Sequence, residues 1–428
     1  IFIQNVDGTF TQTGSETFAG YPFYEDMGAQ FIDADLDGDL DLYVASGGNE
    51  YNKGIDLYQD RFYLNDGNGH FSLLKSALPK LNASGARVIM ADYDMDGDMD
   101  LFVCGRQLPG HYPEPAESYL LKNKWKETGQ LHFKKVVVKD LVDLGMVTDA
   151  SWTDYDKDGD LDLIVVGEWM PITLLENREG DFRKIPLAKS LEESTGWWYS
   201  VEVADIDGDG DEDYVMGNLG LNYKYKANPK EPFTVNYDDF DKNGKNDIVL
   251  GYYNYGEHYP LRGRSCSSQQ IPGLKKVFPN YDTFASASLS QVYGELELKR
   301  SLEYKVKMFQ SIALENLGNG KFTIHDLPVQ AQLSSINDIL ITDVDKDGIQ
   351  DLILAGNMYG SEVETPRNDA GVGLYLKGEG NWDFISVPMT ESGLSLPHDV
   401  KEMKAIKLGT ENGVLIGINN GPIKVIKY

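Results

Sequence analysis

Cysteine, histidine and basic side chains are all scarce in this 428-residue sequence, and each shortage closes off a class of function. Two cysteines, Cys104 and Cys266, cannot build a disulfide framework and lack metal-site spacing. Cys104 sits in the apolar run LFVCG and reads as a small buried hydrophobe, whereas Cys266 lies in a polar stretch. His70, His111, His132, His258, His325 and His398 are scattered, with no pair at zinc-ligand spacing. Lys and Arg number 39 against 68 Asp and Glu, which excludes nucleic-acid binding through a basic patch. No run of 18 apolar residues occurs, which excludes a membrane-spanning helix. Neither a G-x-S-x-G elbow nor a phosphate-cradling glycine loop is present.

What the chain does have is β chemistry and clustered acid. Hydrophobic residues make up 41%, enough for a large core, and 44 Gly with 25 Tyr suit a turn-rich β protein. Length alone would suggest two or three domains at roughly 150 residues each, unless internal repeats define a larger unit. The formal net charge of −29 is uneven: six nine-residue segments hold 28 of the acidic residues and four lysines, leaving the rest close to neutral. A disordered acidic chain spreads its charge and lacks apolar runs, so charge gathered at repeated sites points to bound cations. The opening residues IFIQNVDGTF read as a strand pair and not as a signal peptide, so the chain is expected to begin part-way through a longer or processed precursor.

The repeated segment is D-x-[DN]-x-[DN]-G-x-x-D followed by an apolar strand. Its copies are DADLDGDLD (33–41), DYDMDGDMD (92–100), DYDKDGDLD (154–162), DIDGDGDED (205–213), DFDKNGKND (239–247) and DVDKDGIQD (343–351). Short apolar stretches precede most copies, so each reads as a hairpin around a nine-residue loop. Between the loops a second element recurs, an apolar strand, Asn, a Gly-rich turn and Phe, as in FYLNDGNGHF (62–71), LLENREGDF (174–182) and ALENLGNGKF (313–322). Together these give about four strands per repeat. The start-to-start spacings of 59, 62, 51, 34 and 104 residues suggest one four-stranded blade each, with a trimmed blade at the 34. Within the longest gap, 265–294 has helical spacing broken by Pro272 and Pro279, and reads as a helical insertion. A seventh repeat at 400–428 has lost its aspartates. The expected fold is therefore all-β: a seven-bladed propeller with calcium loops on six blades, spanning 1–428 as one domain. Strands within 1–12 would close the ring against the blade at 400–428.

Calcium takes 6–8 oxygen ligands at ~2.3–2.6 Å. A loop supplies them when positions 1, 3 and 5 turn carboxylates inward, position 7 gives a backbone carbonyl and position 9 closes the shell. The ligands so assigned in the first loop are Asp33, Asp35, Asp37, Asp39 and Asp41. The second offers Asp92, Asp94, Asp96, Asp98 and Asp100, and the third Asp154, Asp156, Asp158, Asp160 and Asp162. The fourth has Asp205, Asp207, Asp209, Asp211 and Asp213, with an extra Gly208 that makes it slightly irregular. The fifth has Asp239, Asp241, Asn243, Lys245 and Asp247, the asparagine lowering its charge, and the sixth Asp343, Asp345, Asp347, Ile349 and Asp351. Lone Asp-Gly turns usually face water. Six copies in one ligand phase, with carboxylates close enough to repel, call for a cation. About six structural calcium ions are expected; magnesium is disfavoured because it demands near-ideal octahedral geometry and keeps its waters.

These loops, their apolar strands and the N-D-G-N-G-x-F turns resemble the FG-GAP/VCBS repeats of integrin α-subunit propellers. The stretches DLDGDLDLYVASGGNEY, STGWWYSVEVADIDGDGDEDYVMGNLGLN, GRSCSSQQIPGLKKVFPNY and AGNMYGSEVETPRNDAGVGLYLKG resemble more closely the cartilage-acidic-protein (ASPIC/UnbV-associated) VCBS repeat proteins, particularly large ones from Bacteroidota. That resemblance implies a calcium propeller forming the C-terminal part of a longer secreted or surface-anchored protein, on a bacterial outer-membrane surface. It implies no particular activity.

No catalytic set stands out, because the abundant acidic pairs are absorbed by calcium. Aromatic-rich connections, with Trp197, Trp198, Tyr252 and Tyr253, and the nearby Arg262 and Arg264, are the candidate ligand-binding residues, together with the polar loop 361–371. The plainer reading is that Trp169, Trp197 and Trp198 pack between blades. A non-catalytic protein-interaction scaffold in an envelope complex is favoured, since a helical projection suits a protein partner. A glycan-binding module is the alternative. A polysaccharide-degrading enzyme is a more distant one, as calcium-rich propellers occur among polysaccharide lyases.

Overall fold

The computed structural model describes residues 1–5, 8–51, 54–81, 83–187, 189–361 and 365–428. Each aspartate loop joins two antiparallel strands at one fixed register. Ile32 pairs with Asp41, Ala91 with Asp100, Thr153 with Asp162, Ala204 with Asp213, Asp238 with Asp247 and Thr342 with Asp351. The residue before position 1 thus always faces position 9, so the nine-residue loop closes on its last aspartate. Two loop positions take the left-handed backbone conformation. Position 6 is always glycine, from Gly97 at φ 86° to Gly38 at φ 92°. Position 4 also has positive φ in all six loops, from Met95 at 54° to Gly208 at 80°. Gly208, read from sequence as an irregularity, therefore occupies the position where glycine is least strained.

Six antiparallel sheets follow one another. The first is built from Asp26–Ile32, Asp41–Ser46, Arg61–Leu64 and Ser72–Leu73. The second uses Ser84–Ala91, Asp100–Gln107, Tyr119–Asn123 and Phe133–Val136. The third has Met146–Thr153, Asp162–Met170, Thr173–Arg178 and Asp181–Lys184, with Gly196–Trp197 added against its second strand. The fourth starts with Ser200–Ala204 and Asp213–Gly217 and is completed by Ile312–Asn316 and Phe322–Asp326. The fifth has Asp338–Thr342, Asp351–Ala355, Leu374–Gly378 and Phe384–Val387, and the sixth Val400–Leu408, Glu411–Ile418 and Lys424–Lys427.

The expected series of one blade per loop breaks at the fifth loop. Asp213–Gly217 pairs with Ile312–Asn316, so the chain leaves the fourth sheet after two strands and returns about a hundred residues later. The excursion carries its own sheet, Phe233–Asp238, Asp247–Asn254, Glu257–Pro260 and Leu302–Val306, and five short helices between Arg264 and Arg300. The 34-residue spacing therefore marks an insertion and not a trimmed blade. The strand order also departs from the expected closure at the termini. Phe2–Gln4 pairs with Phe10–Gln12 in a ribbon of its own, and the sixth sheet has three strands. The ribbon reaches that sheet through a side chain, Gln4 Nε2 donating to Lys407 O at 2.5 Å.

Consecutive sheets pack face to face through continuous apolar layers. Ile32, Tyr43 and Phe62 of the first meet Val88, Leu101 and Leu121 of the second, and Ile164, Val166 and Leu174 of the third meet Val201, Tyr214 and Ile312 of the fourth. Each fully buried aliphatic or aromatic side chain contributes roughly 1.5–3 kcal/mol, and burial on both faces explains why the second strands are apolar throughout. The insertion shares its core with Met146 and Trp169 of the third sheet. The outer face of the first sheet packs instead on Ile1, Phe18 and Tyr21, and a cleft of about 530 Å³ separates it from the sixth sheet. The first strands of successive sheets pack against one another. Residues at or near their starts, Asp26, Ala86, Thr148, Tyr199, Asn337 and Asp399, line one shared central cavity of about 620 Å³. The aspartate loops lie at the other end of those strands. Among the described residues, no helix is long and apolar enough to cross a membrane.

Candidate metal centres

The loop backbone aims the carboxylates inward. The position 7 N–H donates to the position 5 side chain in all six loops, at 3.0 Å in Asp39 to Asp37 and 2.9 Å in Lys245 to Asn243. The position 6 glycine N–H donates to position 1 in four, for example Gly244 to Asp239 at 2.7 Å. Oxygens of Asp33, Asp35 and Asp37 lie within 4.8 Å of one another, as do those of Asp92, Asp94 and Asp96. Asp154, Asp156 and Asp162 converge in the same way, and so do Asp205, Asp207 and Asp213.

Whether a cation fits is decided by the oxygens left over. Asp33 Oδ1, Asp92 Oδ1 and Asp154 Oδ1, all at position 1, are buried and accept no hydrogen bond from the described residues, and Asp94 Oδ1 is the same. A buried carboxylate oxygen without a donor is costly, and here it faces further carboxylates. A hard dication among these oxygens removes both penalties, so the donor set fits calcium. Lysines modulate two loops: Lys122 Nζ pairs with Asp94 and, at 2.8 Å, with Asp96, and Lys377 Nζ pairs with Asp345 and, at 3.1 Å, with Asp347.

Position 9 does more than the sequence suggested. Its carboxylate bridges its own loop to the third strand of its sheet. Asp162 accepts from Tyr155 N at 3.3 Å and Asn177 N at 2.7 Å, and Asp213 from Ile206 N at 3.0 Å and Asn316 N at 2.9 Å. Asp41 and Asp351 repeat the arrangement with Asn65 N and Gly378 N. The asparagines reached in this way have a second task. Asn123 Nδ2 donates to Ala34 O, Asn177 Nδ2 to Tyr93 O and Asn316 Nδ2 to Tyr155 O, each at 2.8 Å. Each acceptor is position 2 of the preceding sheet's loop. The recurrent Asn was visible in the sequence; its partner, one repeat back, was not.

Burial, reinforced by neighbouring loop carboxylates, pushes Asp41, Asp162 and Asp213 up to about 7, Asp100 to about 8 and Asp247 to about 6. Without calcium the folded state then holds protons that the unfolded chain, near 3.8, has released. This contribution to stability is full below the unfolded value and is lost as pH rises through the folded values. Calcium-stripped protein is therefore expected to melt higher at pH 5.5 than at pH 8. Calcium-loaded protein should show the opposite slope, because protons displace the ion. Parallel slopes in scanning calorimetry would contradict this.

The candidate ligand-binding residues do not converge. Trp198 is fully buried between the third and fourth sheets, its Nε1 donating to Ser194 O at 3.0 Å, and has no face for a ligand. Trp197 and Tyr252 flank the aromatic core around Phe233. Tyr253 stacks on His258, with ring centroids 4.4 Å apart, on the inserted sheet. Arg262 precedes the helices, and Arg264 begins them, its Nε donating to Phe278 O at 2.6 Å. Of the loop 361–371, residues 362–364 lie outside the described residues. Cys104 is buried, as expected, and Cys266 is partly exposed.

Residues 35–103 and 154–216 match a known repeat family. That family is the FG-GAP-like repeat. No curated protein sequence matches the chain. Among solved structures, the biofilm matrix protein Bap1 of V. cholerae aligns over 92% of this chain and 74% of its own, at 10% identity and a TM-score of 0.33.

Proposed function

We propose that the chain is a calcium-stabilised extracellular or cell-surface β-propeller acting as a non-catalytic protein-interaction scaffold in an envelope complex. The seven repeat sheets divide into six blades around the axial cavity and one carried on the insertion, so that residues 1–428 act as a single propeller unit with the helices at 265–294 projecting from it. Face-to-face packing of successive sheets and the convergence of six first strands on one cavity support that reading. About six loop ions would be held, as suits the calcium-rich exterior of a cell.

The observation that carries the scaffold role is the insertion. It exposes Tyr255 at 99%, Leu296 at 78%, Val277 at 68% and Tyr281 at 64% of their full surface. Large apolar side chains this exposed on one projection mark a protein contact. The test is capture from solubilised envelope by immobilised, calcium-loaded protein. One stoichiometric partner retained by the native chain, and lost with Val277→Glu plus Leu296→Glu at unchanged melting temperature, is the expected result. Retention by the variant would refute the role assigned to the insertion.

A further inference from the structure

The central cavity, which would lie on the axis of the proposed propeller, is left unexplained by the metal loops and the insertion. At about 620 Å³ it falls within the range of small-molecule sites. Its wall combines aromatic rings with charges that are already neutralised. Arg106 meets Glu168 through Nε at 3.1 Å and Nη2 at 2.5 Å, and Tyr112 OH donates to the other Glu168 oxygen at 3.2 Å. Lys401 Nζ lies 2.7 Å from Asp399, and Arg87 Nε lies 3.1 Å from the buried Asp149. In a protein of net charge −29 this site is electrically balanced. A strongly charged ligand would have to break one of these pairs, leaving a buried charge uncompensated.

Among the described residues, Trp197 Nε1 and Asn337 Oδ1, both belonging to lining residues, are buried without a hydrogen-bond partner. Both are expensive to leave unsatisfied. The cavity wall thus combines ion-paired donors and acceptors with the aromatic residues Trp197, Tyr199 and Tyr359. That is the chemistry of a neutral polyhydroxyl ligand: hydroxyls exchange hydrogen bonds with ion-paired side chains, and the C–H faces of the rings pack on aromatics. We infer that the axial cavity binds a neutral oligosaccharide of about two or three sugar units, with Trp197 and Tyr359 as the stacking residues and the Arg106–Glu168 pair orienting the hydroxyls. The inference stands apart from the scaffold reading, because the cavity lies on the axis and not on the insertion.

The test titrates the full chain, calcium-loaded, with maltotriose, cellotriose, laminaritriose, mannotriose and N,N′-diacetylchitobiose, following tryptophan fluorescence and heat. Sialyllactose and trialanine serve as charged and zwitterionic comparisons. At least one neutral sugar is expected to bind with a dissociation constant below about 1 mM. Trp197→Ala should weaken it at least tenfold. Because Trp197 also packs on Trp169 and Phe233, the partly exposed Tyr359→Ala provides a milder variant, expected to weaken binding at least threefold at unchanged melting temperature. Tyr255→Ala, on the insertion, should have no effect. Binding of none of the neutral sugars, tighter binding of either comparison ligand, or affinity indifferent to Tyr359→Ala would overturn the assignment. Loss of the envelope partner in the preceding test would leave this result unchanged.

Discussion

Stripping calcium is expected to lower the melting temperature by on the order of 15 °C. If the proposed six sites are each held at about 100-fold their dissociation constant, they contribute roughly 2.7 kcal/mol apiece. For a chain of this length one kcal/mol moves the midpoint by roughly 1–2 °C. The molecular cause is specific: position 1 oxygens of Asp33, Asp92 and Asp154 are buried with no donor, and without a cation each faces like charge. Calorimetry before and after chelation, with calcium restored as the control, measures the effect. A midpoint that does not move would remove calcium from the account of stability.

The second large effect separates ligand from girder within a single loop. Asp162→Ala removes the acceptor of two backbone donors, Tyr155 N and Asn177 N. At about 1–3 kcal/mol for each buried donor left unpaired, the substitution should cost roughly 2–5 kcal/mol with or without calcium. Asp158→Ala, at the exposed position 5, should cost little in chelator, where it loses only the exposed Asp160 N–H bond, and more when calcium is present if the ion is held there. Asp162→Asn keeps one acceptor oxygen but sets an NH2 against the second N–H, and is expected to recover at most about half of the loss in chelator. Denaturant unfolding of the three variants in both conditions checks the pattern. Equal behaviour of Asp158→Ala and Asp162→Ala would show that position 9 is a ligand and nothing more.

The loops were legible in the sequence because a coordination shell fixes both residue type and spacing, and six copies in phase leave little else to choose. The sheet assignment was less so. Asp213–Gly217 finds Ile312–Asn316 across the insertion, and spacing along a chain cannot report a pairing that skips a hundred residues. Gly208 looked anomalous because only the backbone shows that position 4 takes positive φ in every loop. Trp197 and Trp198 are neighbours in sequence yet separate in role, one beside the cavity and one sealed between sheets. Local pattern gives both the same prospects. The cavity itself was invisible, since its walls come from the starts of six strands spread along most of the chain.

The backward reach of the asparagines gives the molecule a direction. Asn123, Asn177 and Asn316 each latch the loop of the sheet before them. The fifth sheet has Gly378 in that place, with no amide to extend to Ile206. The first four sheets thus form a latched run, which ends at the seam between the fourth and fifth, where an apolar layer and the bond from Ser200 Oγ to Ile336 O hold the two together instead. The aspartate loops resist the spreading of each hairpin; these amides add to the apolar layers in resisting the sliding of one sheet past the next.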